Sequence, residues 1–125
     1  MAAPKLVVID DEVEFIKTLK AFFGTRGYDV RVALSGPSGM RVVEEERPDV
    51  VLVDLKLPGL DGDQVLTQIR RKQPRTKVIV ITGYNDGGKT RDRVLALGAY
   101  AHFYKALTSL RELSDCVKQA LAATP

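Results

Sequence analysis

The chain has 125 residues, 45% hydrophobic and 28% charged, with a net charge of +3 and a pI near 9.1. That length suits one domain with a real core, and the balance of apolar and charged residues excludes a disordered chain. No apolar run approaches the ~20 residues needed to cross a bilayer. The start, Met1-Ala2-Ala3-Pro4-Lys5, lacks the charged and apolar parts of a signal peptide, so a cytoplasmic protein without a membrane partner is expected.

Leu6-Val7-Val8-Ile9 reads as the first strand. Asp11 or Glu12 can cap a following helix that carries Val13, Ile16, Leu19, Phe22 and Phe23 at helical spacing, with Gly24 or Gly27 to end it. Tyr28 to Val32 alternates apolar and polar, as a strand exposed on one side does. Ser35 can cap a second helix through Met40, Val42 and Val43, although Gly36, Pro37 and Gly39 weaken its first turn. Val50-Val51-Leu52-Val53 lies between Pro48-Asp49 and Asp54, with Pro58-Gly59 beyond, and reads as a strand buried on both faces. A third helix starts at Asp61 or Gly62, turns Val65, Leu66 and Ile69 inward, and stops at Pro74. Val78 to Ile81 is a fourth strand, Gly83 to Gly88 a loop by composition, and a short helix with Val94, Leu95 and Leu97 ends at Gly98. The last strand runs to Tyr104 and the last helix from Leu107 to Ala122. In numbers, one domain over 1–125 is expected, with strands about 5–10, 28–33, 49–54, 77–82 and 99–104. The helices then cover about 12–25, 36–46, 62–73, 88–97 and 107–122.

Cys116, the only cysteine, rules out an internal disulfide and a cysteine-built metal site, and is expected to be a packing residue of the last helix. Arg70-Arg71-Lys72, with Arg75 and Lys77, sits at a helix C-terminus, where cations suit the helix dipole. With no recognition motif beside it, this run is expected to be a solvated face, and no direct nucleic-acid binding is expected.

Five alternations of strand and helix imply an α/β fold, a doubly wound parallel sheet of the flavodoxin-like kind. Strands one, three and four are continuously apolar, as in the middle of a sheet covered twice, and strands two and five are mixed. The order 2-1-3-4-5 fits those textures and puts the switch point between strands one and three. Asp10, Asp11 and Asp54 would converge there, with Thr82 and Lys105 at neighbouring strand ends. Three carboxylates in one crevice need a cation or protons, and oxygen donors without histidine or cysteine suit a hard cation such as Mg²⁺. A lysine and a hydroxyl beside them could hold a phosphoryl group, and the nucleophile at the centre is a carboxylate, so an aspartyl phosphate is the implied chemistry. Taken singly, each residue has a plainer reading: helix caps for the three acids, a strand exit for Thr82, a surface amine for Lys105.

The sequence resembles the receiver domains of two-component response regulators over essentially its whole length. The resemblance is carried by Val8-Ile9-Asp10-Asp11-Glu12, Leu52 to Gly62, Thr82-Gly83-Tyr84, Gly98-Ala99 and Lys105. It implies that Asp54 accepts a phosphoryl group from the phosphohistidine of a sensor histidine kinase or phosphotransfer domain. It also implies that Asp11, Asp54 and the carbonyl of Lys56 bind Mg²⁺ directly, with Asp10 acting through a water. Thr82 and Lys105 would meet the phosphoryl group, and the face of helix four, strand five and helix five would carry the output. Such a domain is a signalling switch that catalyses its own phosphorylation and dephosphorylation rather than a metabolic enzyme. The resemblance leaves the downstream effector open, and a monomer or a phosphorylation-dependent dimer is expected.

Three departures from the family matter. Ala106 stands where a proline with a cis peptide is usual, so either a non-proline cis bond costing ~2.5–4 kcal/mol is retained or the loop is trans and Lys105 is aimed differently. His102 replaces the aromatic switch residue, which suggests altered and pH-sensitive output coupling, although an exposed edge-strand histidine is the plainer expectation. Lys56 and Tyr84 flank the site, and a long cation and a bulky ring there are expected to slow water attack and lengthen the phosphorylated lifetime. The alternative readings are a receiver-like interaction module that signals without phosphate and a flavodoxin-like small-molecule binder. The latter is weakened by Asp-Asp-Glu after strand one, where a phosphate-cradling loop would be needed.

Overall fold

The computed structural model describes residues 3–83 and 86–123. Five strands form one sheet: β1 (Lys5–Ile9), β2 (Asp29–Ala33), β3 (Val50–Val53), β4 (Lys77–Thr82) and β5 (Ala101–Tyr104). All four pairings are parallel and the order is β2-β1-β3-β4-β5. The helices are α1 (Val13–Gly24), α2 (Gly36–Glu46), α3 (Gly62–Lys72), α4 (Lys89–Ala96) and α5 (Leu110–Ala122). This is the flavodoxin-like doubly wound fold expected from the strand textures. Among the described residues, no helix is long and apolar enough to cross a membrane.

The alternation of strand side chains splits each apolar run between two cores. Val7, Ile9, Val51, Val53, Val78 and Val80 pack with Met40 and Val43 of α2, Leu66 and Ile69 of α3 and Val94 of α4. Leu6, Val8, Leu52, Ile79 and Ile81 pack with Leu19 and Phe23 of α1 and with Leu113 and Val117 of α5. Central strands are therefore apolar at every position because both faces are covered. Cys116 is a free, buried thiol in the second core, and burial raises its pKa.

One helix start differs from its sequence reading. The last helix was expected from residue 107. Lys105–Leu107 is instead a 3₁₀ turn, and α5 begins at Leu110, where Ser109 and Glu112 form a reciprocal capping box. In α2 the weak-looking Gly36 and Pro37 form the first turn because Gly36 must be bare. A Cβ there would collide with the carbonyl and side chain of Leu60, and the Gly36 N–H donates to the Pro58 carbonyl at 3.1 Å. Thus α2 is docked against the loop that follows Asp54. β5 starts at Ala101 rather than 99, since the Ala99 N–H closes α4 by donating to the Val94 carbonyl.

Candidate functional site

Asp10 and Asp54 follow the last residues of adjacent strands, and the sheet ladder continues through them. The Asp54 N–H donates to the Ile9 carbonyl and the Asp10 N–H to the Ala33 carbonyl, each at 3.0 Å. Both carboxyl groups are buried but sit at the carboxyl edge of the sheet, at the switch point where ligand crevices form in this class of fold. Gly62 lets the next helix close on Asp54. Its N–H donates to the Leu55 carbonyl at 3.0 Å, and a Cβ on it would overlap the Asp54 carbonyl and the Leu55 Cα.

Lys105 is the centre of the electrostatics. Its Nζ lies 2.8 Å from Asp10 Oδ2, 2.6 Å from Glu12 Oε1 and 3.1 Å from Asp54 Oδ2. Three ammonium donors meet three carboxylates, and the lysine side chain is only 12% exposed. Burial disfavours its charge, but hydrogen bonds to Asp10 and Glu12 and the fields of Asp10 and Asp54 outweigh burial and raise its pKa. Asp10 is pushed up by burial, against the opposing pull of Lys105 and of the Glu12 N–H, which donates to Asp10 Oδ1 at 2.9 Å.

The converging trio differs from the expected one. Ligand oxygens of Asp10, Glu12 and Asp54 lie within 4.8 Å of one another. Asp11 is exposed on the wall of the crevice, a cavity of about 390 Å³ that Leu55, Lys56 and Thr82 also line. Glu12 was read from sequence as a cap for α1. It does stand at the N-cap position, but its side chain makes no cap hydrogen bond and extends to Lys105. The run Asp10-Asp11-Glu12 held the signal: a third acid next to a strand end can also face the crevice. Thr82 ends β4, is buried, and lines the same cavity as Asp54. Oxygen donors gathered this closely, with no histidine or cysteine among them, form a set suited to a hard cation.

A family model for the response regulator receiver domain matches residues 6–118. The chain belongs to the response regulator receiver domain family. Sporulation initiation phosphotransferase F of Bacillus subtilis (strain 168) is 32% identical over 121 residues, 97% of this chain and 96% of that one. Regulatory protein AtoC of Escherichia coli (strain K12) is 31% identical over 120 residues, 96% of this chain but 26% of that longer protein. Among solved structures, a response regulator receiver domain protein of Clostridium thermocellum superposes with a TM-score of 0.87 at 30% identity, covering 95% of this chain and 94% of that one. A CheY-like receiver domain protein of Methanospirillum hungatei JF-1 gives 0.89 at 26% identity, with 97% and 95% covered.

No cis peptide occurs among the described residues, so Lys105–Ala106 is trans, yet the 3₁₀ turn still brings Lys105 onto Asp54. His102 of this receiver domain is not an exposed edge histidine. Both ring nitrogens are buried without a hydrogen-bond partner, and the ring meets Tyr104 edge-on at 4.8 Å. The edge strand is covered there: His102 pairs in register with Val80, on the side of the sheet that holds α4. Burial lowers its pKa, and the charge of Arg91 adds to the effect while Asp86 opposes it. Lys56 lines the crevice, and its N–H donates to Asp54 Oδ1 at 3.4 Å. Tyr84, the other expected tuning residue, lies outside the described residues.

Proposed function

We infer that this receiver domain takes a phosphoryl group on Asp54 from the phosphohistidine of a sensor histidine kinase or phosphotransfer domain. The observation that carries the reading is Lys105 Nζ at 3.1 Å from Asp54 Oδ2, within a cluster of carboxylates at the switch point. An Asp54 oxygen attacks phosphorus and forms the O–P bond as the N–P bond breaks. The leaving imidazole keeps the bonding pair and takes up a proton. Lys105 then has a new acceptor for donors it already aims at Asp54, and Thr82, at the same crevice, is placed to donate its hydroxyl.

The donor set fits Mg²⁺, which Asp10, Asp11, Asp54 and the Lys56 carbonyl would hold, with Glu12 within reach. Bound there, Mg²⁺ would screen the negative charge that accumulates on the phosphoryl oxygens. Without it, Lys105 is the only cation touching the cluster among the described residues. The switch therefore rests with its lysine shared among three acids. A dianionic group on Asp54 redistributes that lysine, and the face of α4, β5 and α5, with His102 in it, reads the change. The reading makes the chain a cytoplasmic, self-phosphorylating signalling domain, and the length of AtoC beyond the match suggests fused effectors in some relatives. The phosphate-independent alternative drew its support from Ala106 and His102, and the part from Ala106 weakens once Lys105 reaches Asp54 across a trans peptide.

Intact mass after incubation with Mg²⁺ and acetyl phosphate tests the reading. One phosphoryl adduct is expected on the wild type and none on Asp54→Asn. An adduct on both, or on neither while Mg²⁺ binds, would overturn it.

A further inference from the structure

The opposite end of the sheet gathers unmatched positive charge. A cavity of about 490 Å³ opens between the end of α2, the α3–β4 turn and the end of α5. Its cations are Arg47, Lys72, Arg75 and Lys77, against a single carboxylate, Asp49. Lys72 pairs with Glu44 at 3.2 Å, but Arg47, Arg75 and Lys77 have no acidic partner among the described residues. Set against Asp49, the three unpaired cations leave the cavity an excess of two positive charges. Asp49 and Asp54 lie five residues apart along one strand, so the cavity is about 16 Å from the acidic crevice.

The basic run was expected to be a solvated face, and part of it is structural instead. Arg70 Nη1 donates to the carbonyls of Pro74 and Thr76 at 2.9 and 3.1 Å. Gln73 Nε2 donates to the Val43 carbonyl at 3.1 Å, and the buried Thr76 hydroxyl donates to the Pro48 carbonyl at 2.8 Å. These bonds fix the turn on which Arg75 and Lys77 are mounted, so the cavity is preformed. Arg47, on the other wall, is the one non-glycine residue with a positive φ among the described residues, 46°. A long side chain stands where the backbone favours glycine or asparagine. Pro48, Pro74 and Leu121 add apolar surface between the charges.

We propose that this cavity is a second ligand site, separate from the phosphoryl site, for a nucleotide. The cations take the phosphates, and the proline and leucine surface takes the base. The volume lies within the range of small-molecule pockets, about 300–1,000 Å³, and is far more than an inorganic anion fills. Apolar lining between the cations favours a ligand with both a planar apolar part and charge over a bare anion.

The test is ¹⁵N NMR titration of the full chain in EDTA, which removes metal from the acidic crevice, with ADP, adenosine, pyrophosphate and a single-stranded oligonucleotide. ADP should shift the amides of Arg47, Gln73, Thr76 and Lys77 saturably, with a Kd below ~1 mM. Adenosine and pyrophosphate should each bind severalfold more weakly. The exposed Arg75→Ala change combined with Lys77→Ala should weaken ADP about tenfold, leaving acetyl phosphate labelling of Asp54 unchanged. Equal affinity for pyrophosphate, shifts scattered over all basic residues, or indifference to the double change would overturn the site. Tighter binding of the oligonucleotide at the same amides would overturn it in favour of a nucleic-acid face.

Discussion

Gly62→Ala should damage both the stability and the chemistry of this domain. The added methyl group would overlap the Asp54 carbonyl and the Leu55 Cα, which are backbone atoms between two packed elements and cannot rotate away. Overpacking of this kind costs about 1–3 kcal/mol. The usual gain of Ala over Gly in a helix, ~0.5–1 kcal/mol, is reduced at the first helical residue. A net loss of about 1–2 kcal/mol corresponds to a Tm lower by roughly 3–8 °C for a chain of this size. The displaced backbone carries Asp54 with it. A shift of about 1 Å in a reacting group can cost on the order of 10²-fold in rate. Urea denaturation, with the slope checked for constancy, reads the first effect, and initial rates of acetyl phosphate labelling by intact mass read the second. Gly24→Ala is the control, because nothing lies within 4 Å of a Cβ there, and it should leave both readouts within about 1 kcal/mol of wild type. Wild-type stability and labelling in Gly62→Ala would refute the argument that this close approach sets the position of Asp54.

Lys105→Met should lower stability by about 3 kcal/mol without Mg²⁺, because the buried Asp10 and Asp54 lose their shared counter-ion. Adding Asp54→Asn should restore much of the loss, and a double-mutant cycle in urea checks the coupling. The raised Lys105 pKa means that its contribution is fully present below the ordinary lysine pKa. The contribution is lost only as pH rises through the higher folded value, so the loss on Lys105→Met should be flat from about pH 6 to 9. Glu12→Gln should change stability by under about 1 kcal/mol, since its side chain is 62% exposed, yet weaken Mg²⁺ severalfold by calorimetry. His102→Phe should stabilise by about 1–2 kcal/mol at pH 7.5 by removing two unpaired buried nitrogens. The gain should grow as pH falls below about 6.5. There the unfolded histidine takes up a proton that the folded one, with its lowered pKa, resists. Denaturation midpoints at pH 7.5 and 5 would show a constant difference if His102 were solvated.

The sheet was legible because its runs differ in kind: Val50–Val53 is apolar at every position and Asp29–Ala33 is mixed, and that contrast alone orders centre and edge. The strand-end residues were legible because Asp10, Asp54 and Thr82 each follow an apolar run directly, and Lys105 stands at the end of the fifth strand. Glu12 was not, since a helix cap and a lysine partner require the same residue type at the same place, and only the tertiary position of Lys105 separates them. His102 misled for a related reason. Mixed polarity marks an edge strand, but it does not say that α4 covers the polar member. The 3₁₀ turn after β5 escaped because Leu107 and Leu110 have helical spacing, and the competing signal, Ser109 with Glu112, overrides it locally.

The odd-and-even division of the strands has one more consequence. Ala101 and Phe103 face α1 and α5, so Lys105 continues their side, while His102 and Tyr104 turn towards α4. The sheet is thus a wall one residue thick, with Lys105 on one side and His102 on the other. Three residues along β5 span that wall, an odd number, and the lysine cannot touch the histidine's neighbours directly. In the proposed switch, a signal between them would have to travel as a movement of the strand itself. A one-residue insertion or deletion between His102 and Lys105 would put both on the same side of the sheet.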